Sequence, residues 1–267
     1  MLFRSHDSHK SALRFDSANM GKAETVKYGT DGTMSFNVCW NAGQMKIKGE
    51  KHITANNVTF NAISRNGIGI AVLDNPNMGG FNKESVTVNN IGVLSGHFSR
   101  QKPLPGKQQA NLNVKDNEVM RMLRDPINLD FRPRRNKKGV SLKGVHGKMS
   151  NLVIGAYNAD CKNYWIPGRK QSRASSPVPP NKAVKVQQDC SLIWLQAYKS
   201  DKAELYLGLD KKSVEKAEKG SKEYKGEFKN NLFTPGKLKA NTVYHWRVDS
   251  IINGKRTRGE VWSFKTR

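Results

Sequence analysis

The 267 residues hold no stretch approaching the roughly 18 consecutive apolar residues of a membrane-spanning helix, so no such span is expected. The opening Met1-Leu2-Phe3-Arg4-Ser5-His6-Asp7 lacks the apolar run of a secretory signal. Cysteine is scarce. Cys39, Cys161 and Cys190 are far apart and form no CxxC or Cys/His cluster, which argues against a disulfide-stapled scaffold or a zinc module. They read as small buried or idle thiols. No GxSxG, HExxH, P-loop or dinucleotide fingerprint occurs, so serine-hydrolase, zinc-protease and nucleotide-driven chemistry has no local support.

Acidic residues are also few: 22 Asp+Glu stand against 46 Lys+Arg, a formal charge of +24. The excess is not a tail, because residues 1–180 carry +15 and residues 181–267 carry +9. A field of that size draws polyanions. The densest basic run, Arg100 to Lys148, has few aromatics interleaved, so base stacking on aromatic platforms is poorly supported there. With 36% hydrophobic residues, the chain can still bury one sizeable core or two modest ones.

Up to about residue 170, short β-branched and aromatic runs alternate with Gly and Asn, without a long helical period. Thr33-Met-Ser-Phe-Asn37-Val-Cys-Trp-Asn41 aligns with Ile53-Thr-Ala-Asn-Asn57-Val-Thr-Phe-Asn61, and Val86-Thr-Val-Asn-Asn90-Ile-Gly-Val93 forms a third copy. Between them lies a second kind of short strand, Ser11–Asp16, Gln44–Lys48 and Gly67–Val72. A period near 20 with Asn37, Asn57 and Asn90 at one turn suits the stacked coils of a solenoid, whose amides can satisfy one another; a plain antiparallel sheet with Asn-rich turns is the alternative.

Ser172-Arg-Ala-Ser-Ser-Pro-Val-Pro-Pro180 reads as an extended linker. Beyond it come alternating strands: Ser191–Leu195, Ala203–Gly208, Thr242–Asp249 and Glu260–Phe264. In Thr242–Asp249, Tyr244, Trp246 and Val248 share one face, which predicts a strand buried on that side only. Leu238 ahead of Tyr244 is compatible with a tyrosine corner. Lys211–Lys219 is the one convincing helical segment, with Ser213 as N-cap.

Asn128-Leu-Asp-Phe-Arg-Pro133, Val153-Ile-Gly-Ala-Tyr157 and Tyr164-Trp-Ile-Pro-Gly-Arg169 resemble the closing section of bacterial right-handed parallel β-helix proteins of the pectate-lyase-like superfamily. The later pattern, Trp194, Leu205-Tyr-Leu-Gly208, Tyr244-His-Trp-Arg-Val-Asp249 and Val261-Trp-Ser-Phe264, is similar to the fibronectin type III-like domain that such proteins often append. The resemblance implies an all-β chain. A right-handed parallel β-helix of few coils over residues 1–170, with a basic C-terminal extension, is followed by a linker over 171–181 and an immunoglobulin/fibronectin III-like β-sandwich over 182–267. It also implies a secreted or cell-surface location and a monomer. The sequence opens as if inside a coil, which suggests the C-terminal piece of a longer enzyme.

Lyases of this superfamily remove the proton beside a uronate carboxylate, which needs a base and a cation to neutralise that carboxylate. Alternation turns Lys10, Arg14 and Asp16 outward on one strand and Lys46 and Lys48 outward on another. If the two strands stack, these cations line one groove. Lys10, Arg14 and His9 are the candidate catalytic residues, with His6, Lys46, Lys48, Arg65 and Trp165 as candidate substrate-binding residues. His6 and His9 have no third ligand, so no metal site is assigned. The resemblance would allow Ca²⁺ at Asp7 and Asp16, although two scattered carboxylates make no calcium cage. The expected function is β-elimination on an acidic or sulfated polysaccharide. A non-catalytic polyanion-binding or adhesion module is the rival, and nucleic-acid binding ranks third; it would explain the charge, but sulfated glycans predict much the same salt dependence, so salt alone does not separate them.

Overall fold

β-Branched and aliphatic residues recur at every second position of the short runs above, so each run can bury one face only by stacking on copies of itself. The computed structural model describes residues 4–5, 11–15, 29–75, 77, 80–134 and 154–267 and shows that stacking. The described residues divide into two compact units, one drawn from 1–123 and 131–159, the other from 124–130 and 160–267.

The first unit is built from three parallel sheets. One joins Arg4–Ser5, Val38–Trp40, Val58–Phe60, Ile91–Gly92 and Leu112–Asn113; a second joins Ser11–Phe15, Gln44–Ile47, Ile70–Val72 and Leu94–Ser95; a third joins Thr33–Ser35, Ile53–Ala55, Val86–Val88 and Lys107–Gln109. The chain visits the third, first and second sheets in that order, coil after coil, an arrangement compatible with a parallel β-helix. Met45, Ile47, Ile70, Val72 and Leu94 are buried together and packed by Leu13 and Phe15. The helix Asp116–Met122 and Phe131 cover the first sheet, where Phe131 meets Trp40 and Phe60 at ring distances of 4.9 and 6.2 Å. That helix has no counterpart in the sequence reading, since its seven residues are too few to show a period.

The corner between the third and first sheets repeats one device. Phe36, Asn56, Asn89 and Ala110 adopt left-handed backbone with φ of 58, 55, 57 and 49°, and each is followed by an asparagine. The Nδ2 of Asn37 donates to Asn57 Oδ1 (2.8 Å), that of Asn57 to Asn90 Oδ1 (2.9 Å), and that of Asn90 to Asn111 Oδ1 (2.9 Å). The turn predicted from three copies is thus a ladder of amides that extends to Asn111.

The second unit is antiparallel except at one edge. Ser175–Val178, Leu192–Leu195 and Leu232–Phe233 form one sheet, so part of the Ser/Pro-rich stretch is an edge strand. Ala183–Val186, Val261–Thr266, Val243–Ile252, Lys202–Gly208 and Tyr224–Phe228 form the other, with Lys255–Thr257 paired to Val243–Ile252 and Ala183–Val186 parallel to its neighbour. Trp194 from the three-stranded sheet and Trp246, Trp262, Leu205 and Phe264 from the larger sheet share one core. Tyr244 Oη accepts the Lys239 N–H at 3.0 Å.

At two places the second unit departs from the local expectation. The N-cap of the helix Lys211–Lys216 is Asp210, whose carboxylate accepts from Ser213 N at 2.7 Å; Ser213 sits inside the first turn. The strand Val243–Ile252 is buried on both faces. Arg247 and Asp249 are fully buried, joined by Nε to Oδ1 at 2.8 Å and Nη2 to Oδ2 at 3.1 Å. Arg247 also donates to Val214 O (2.6 Å) and Ala217 O (2.8 Å) and stacks on Tyr206 at 4.3 Å, so the short helix closes that face.

Candidate functional site

The outer face of the first unit's second sheet carries two of the basic residues the sequence singled out, Arg14 and Lys46. Arg14 and Lys46 occupy paired positions on neighbouring strands, with Leu13 opposite Met45 and Phe15 opposite Ile47 turned into the core. Parallel neighbours lie about 4.8 Å apart, so the two side chains leave the sheet as adjacent rungs. The rung then continues to Ala71 and Ser95, where charge gives way to small side chains.

Those small residues make room for the segment 96–102, which folds back over the sheet. Ser95 Oγ organises it, donating to Arg100 O (2.7 Å) and accepting from His97 N (3.1 Å) and Lys102 N (3.0 Å). Gly96 is required there, because a Cβ would lie 2.1 Å from Pro103 O. Phe98 packs with Ile68, Ala71 and Leu73, Gln44 Nε2 donates to Phe98 O (3.2 Å), and Lys46 Nζ stands 5.6 Å from the Phe98 ring centre. His97 stacks on Phe98 at 4.7 Å, and its Nδ1 accepts Ser99 N at 3.1 Å, which puts the proton of the neutral ring on Nε2. Burial holds the His97 pKa below its usual value, and the Arg100 and Lys102 charges lower it further.

Lys46 therefore stands beside the Phe98 ring with Arg14 on the next strand, and the charges of Arg100 and Lys102 act on the buried His97 in the same segment. Asn66 Nδ2 donates to Ser99 O (2.6 Å), so the turn Arg65–Gly67 abuts the same segment and brings exposed Arg65 to its margin. Lys48 lies past the end of the strand. Its carbonyl accepts from His52 Nε2 (2.7 Å), while Gly32 N donates to His52 Nδ1 (3.0 Å), and the His52 ring stacks on Phe15 at 4.7 Å. His52 is thereby committed to structure. Lys10, His9 and His6, with Asp7 and Asp16, fall outside the described residues. Trp165 is 40% exposed and belongs to the second unit.

Strand alternation does not point to His97, Phe98, Arg100 or Lys102. The signals for them are Gly96 and the prolines Pro103 and Pro105, which bracket a loop with cations on it. Among the described residues, no group of three or more His, Cys, Asp and Glu could hold a metal ion, and no helix is long and apolar enough to cross a membrane. Cys39 and Cys190 are buried free thiols pushed up to about 12, so neither is a nucleophile near neutral pH. Comparison with protein-family models, curated proteins and solved structures finds no match.

Proposed function

We propose that this chain binds an acidic or sulfated polysaccharide along the outer face of the second sheet. In this reading it is the closing section of a secreted or cell-surface, carbohydrate-active β-helix protein, with a fibronectin type III-like sandwich appended. The observation that carries it is the pairing of Arg14 with Lys46 beside Phe98, on a segment whose Arg100 and Lys102 charges act on His97. Cations on adjacent rungs match the closely spaced carboxylates or sulfates of a polyanion. The sandwich reading draws on the shared tryptophan core and on the Tyr244–Lys239 bond.

Binding is better supported than elimination. A lyase must remove the C5 proton, form the C4=C5 double bond, break the C4–O bond and give a proton to the departing oxygen. Arg14, the candidate base among the described residues, carries a guanidinium that offers N–H donors and no acceptor, which suits holding an anion better than taking a proton from carbon. Titration of the full chain with heparin and polygalacturonate, at two salt concentrations, tests the proposal. Arg14→Gln and Lys46→Gln should each weaken binding and flatten its salt dependence, whereas Lys212→Gln in the second unit should not. Equal effects at all three positions would refute a defined site, and tighter binding to duplex DNA than to either glycan would refute the ligand class. A rise in ultraviolet absorbance from unsaturated uronyl ends on the same substrates would add the lyase step.

A further inference from the structure

The second unit contains an open cleft of about 980 Å³, lined by Arg169, Lys170, Ser172, Tyr198, Lys199 and Ile252. That volume lies at the upper end of the roughly 300–1,000 Å³ common for small-ligand sites. We propose that the cleft is a separate binding site for an anionic saccharide, with Tyr198 as the stacking platform and the three cations as the anion clamp. This site does not depend on the face described for the first unit.

Three observations support it. Tyr198 is 60% exposed, a flat ring presented to solvent at the cleft with Lys199 Nζ 5.5 Å from its centre. Such a ring offers an apolar face to the C–H side of a sugar and a hydroxyl at its tip. The three cations join no ion pair among the described residues, while neighbouring acids are engaged elsewhere: Glu260 with Arg173 at 3.0 Å, and Asp201 with Asn253 N at 3.0 Å. The arginine fork and the lysine ammonium groups are therefore available to a carboxylate or sulfate. The cleft is also preorganised. Tyr198 N donates to Gln171 O (2.7 Å), Ser200 N to Ala197 O (3.2 Å) and Asp201 N to Ile251 O (2.9 Å), and Lys199 holds left-handed backbone with φ 57°. These bonds tie the aromatic turn to the basic segment and to the end of the long strand, so little ordering is left for the ligand to impose.

The test uses the full chain carrying Arg14→Gln and Lys46→Gln, which weakens the first face, and the local exchange readout separates what remains of it from the cleft. A heparin-derived hexasaccharide, maltohexaose and linear polyphosphate are titrated by calorimetry, and hydrogen exchange is followed with each at saturation. The hexasaccharide should slow exchange in residues 168–173 and 197–201. Tyr198→Ala should weaken it about tenfold, Tyr198→Phe should bind within about twofold of the parent, and Arg169→Gln and Lys199→Gln should each lower affinity and salt dependence. Unchanged exchange in both segments would overturn the proposal. So would maltohexaose binding equally well, which removes the anion requirement, or polyphosphate binding equally well, which removes the ring. Failure of the first-unit proposal is read separately, as unchanged exchange in 11–15, 44–47 and 96–102 of the unsubstituted chain.

Discussion

The asparagine ladder makes a quantitative demand on Asn57. Its Oδ1 accepts from Asn37 N (3.0 Å) and Asn37 Nδ2 (2.8 Å), and its Nδ2 donates to Met34 O (2.9 Å) and Asn90 Oδ1 (2.9 Å), all in a fully buried corner. Asn57→Ala removes four hydrogen bonds at once. Two of the stranded groups keep another partner, since Asn37 Nδ2 still donates to Ser35 O and Asn90 Oδ1 still accepts Asn57 N. The Asn37 N–H keeps none of its ladder contact. One buried orphan and several weakened bonds amount to about 3–5 kcal/mol, a large part of a domain's usual stability. At the last rung Asn111 is only partly buried, so Asn111→Ala should cost about 1–2 kcal/mol. Asn57→Asp keeps the acceptor for Asn37 but sets carboxylate oxygens against Met34 O and Asn90 Oδ1. It should be at least as damaging as alanine and partly relieved at low pH. Urea unfolding read by hydrogen exchange in Val58–Phe60 and Ile91–Gly92 isolates the first unit from the second. If Asn57→Ala cost under about 1 kcal/mol, or no more than Asn111→Ala, the amide stack would not hold the coils together.

Three further outcomes are expected. Arg247→Met should destabilise the second unit by about 3–5 kcal/mol, measured by urea unfolding, because it leaves the buried Asp249 carboxylate with only the Gly259 N–H at 2.9 Å and Arg256 Nε at 4.0 Å; adding Asp249→Leu should recover part of the loss. Gly92→Ala should be poorly tolerated, since φ is 142° and the new Cβ would meet Thr59 Oγ1 at 2.2 Å and Thr59 O at 2.7 Å, whereas Gly220→Ala, with φ 94° and nothing within 4 Å, should be milder in thermal melts. Because the His97 pKa is lowered in the folded state, the unfolded chain takes up the proton first as pH falls. The stability tied to its neutral ring is full above about 6.5 and is lost below it, and His97→Gln should flatten that loss in Leu94–Ser95 exchange. His245 shifts the same way in the second unit, which is why the readout must be local.

Much of the first unit could be read from spacing. Asn37, Asn57 and Asn90 recur because one amide per coil must meet the next, and the apolar alternation in Ser11–Phe15 and Gln44–Ile47 placed Arg14 and Lys46 on one face. The fourth copy escaped because Lys107–Gln109 is exposed and has lost the β-branched pattern, leaving Asn111 as its only marker. The segment 96–102 escaped for another reason: its fold comes from Ser95, Gly96 and Gln44 contacts that have no period. The buried Arg247–Asp249 pair could not be foreseen either, since alternation predicts a polar face turned to solvent and says nothing of a helix laid across it.

The ladder also shows what the coils leave uncounted. Successive rungs are separated by 20, 33 and 21 residues, yet the amide contacts differ by only 0.1 Å. A rung registers the corner, not the length of chain between corners. The chain between Asn57 and Asn90 therefore runs 13 residues longer than that between Asn37 and Asn57 (33 − 20) while the amide spacing stays the same, so one spine carries coils of unequal length and unequal outer surface.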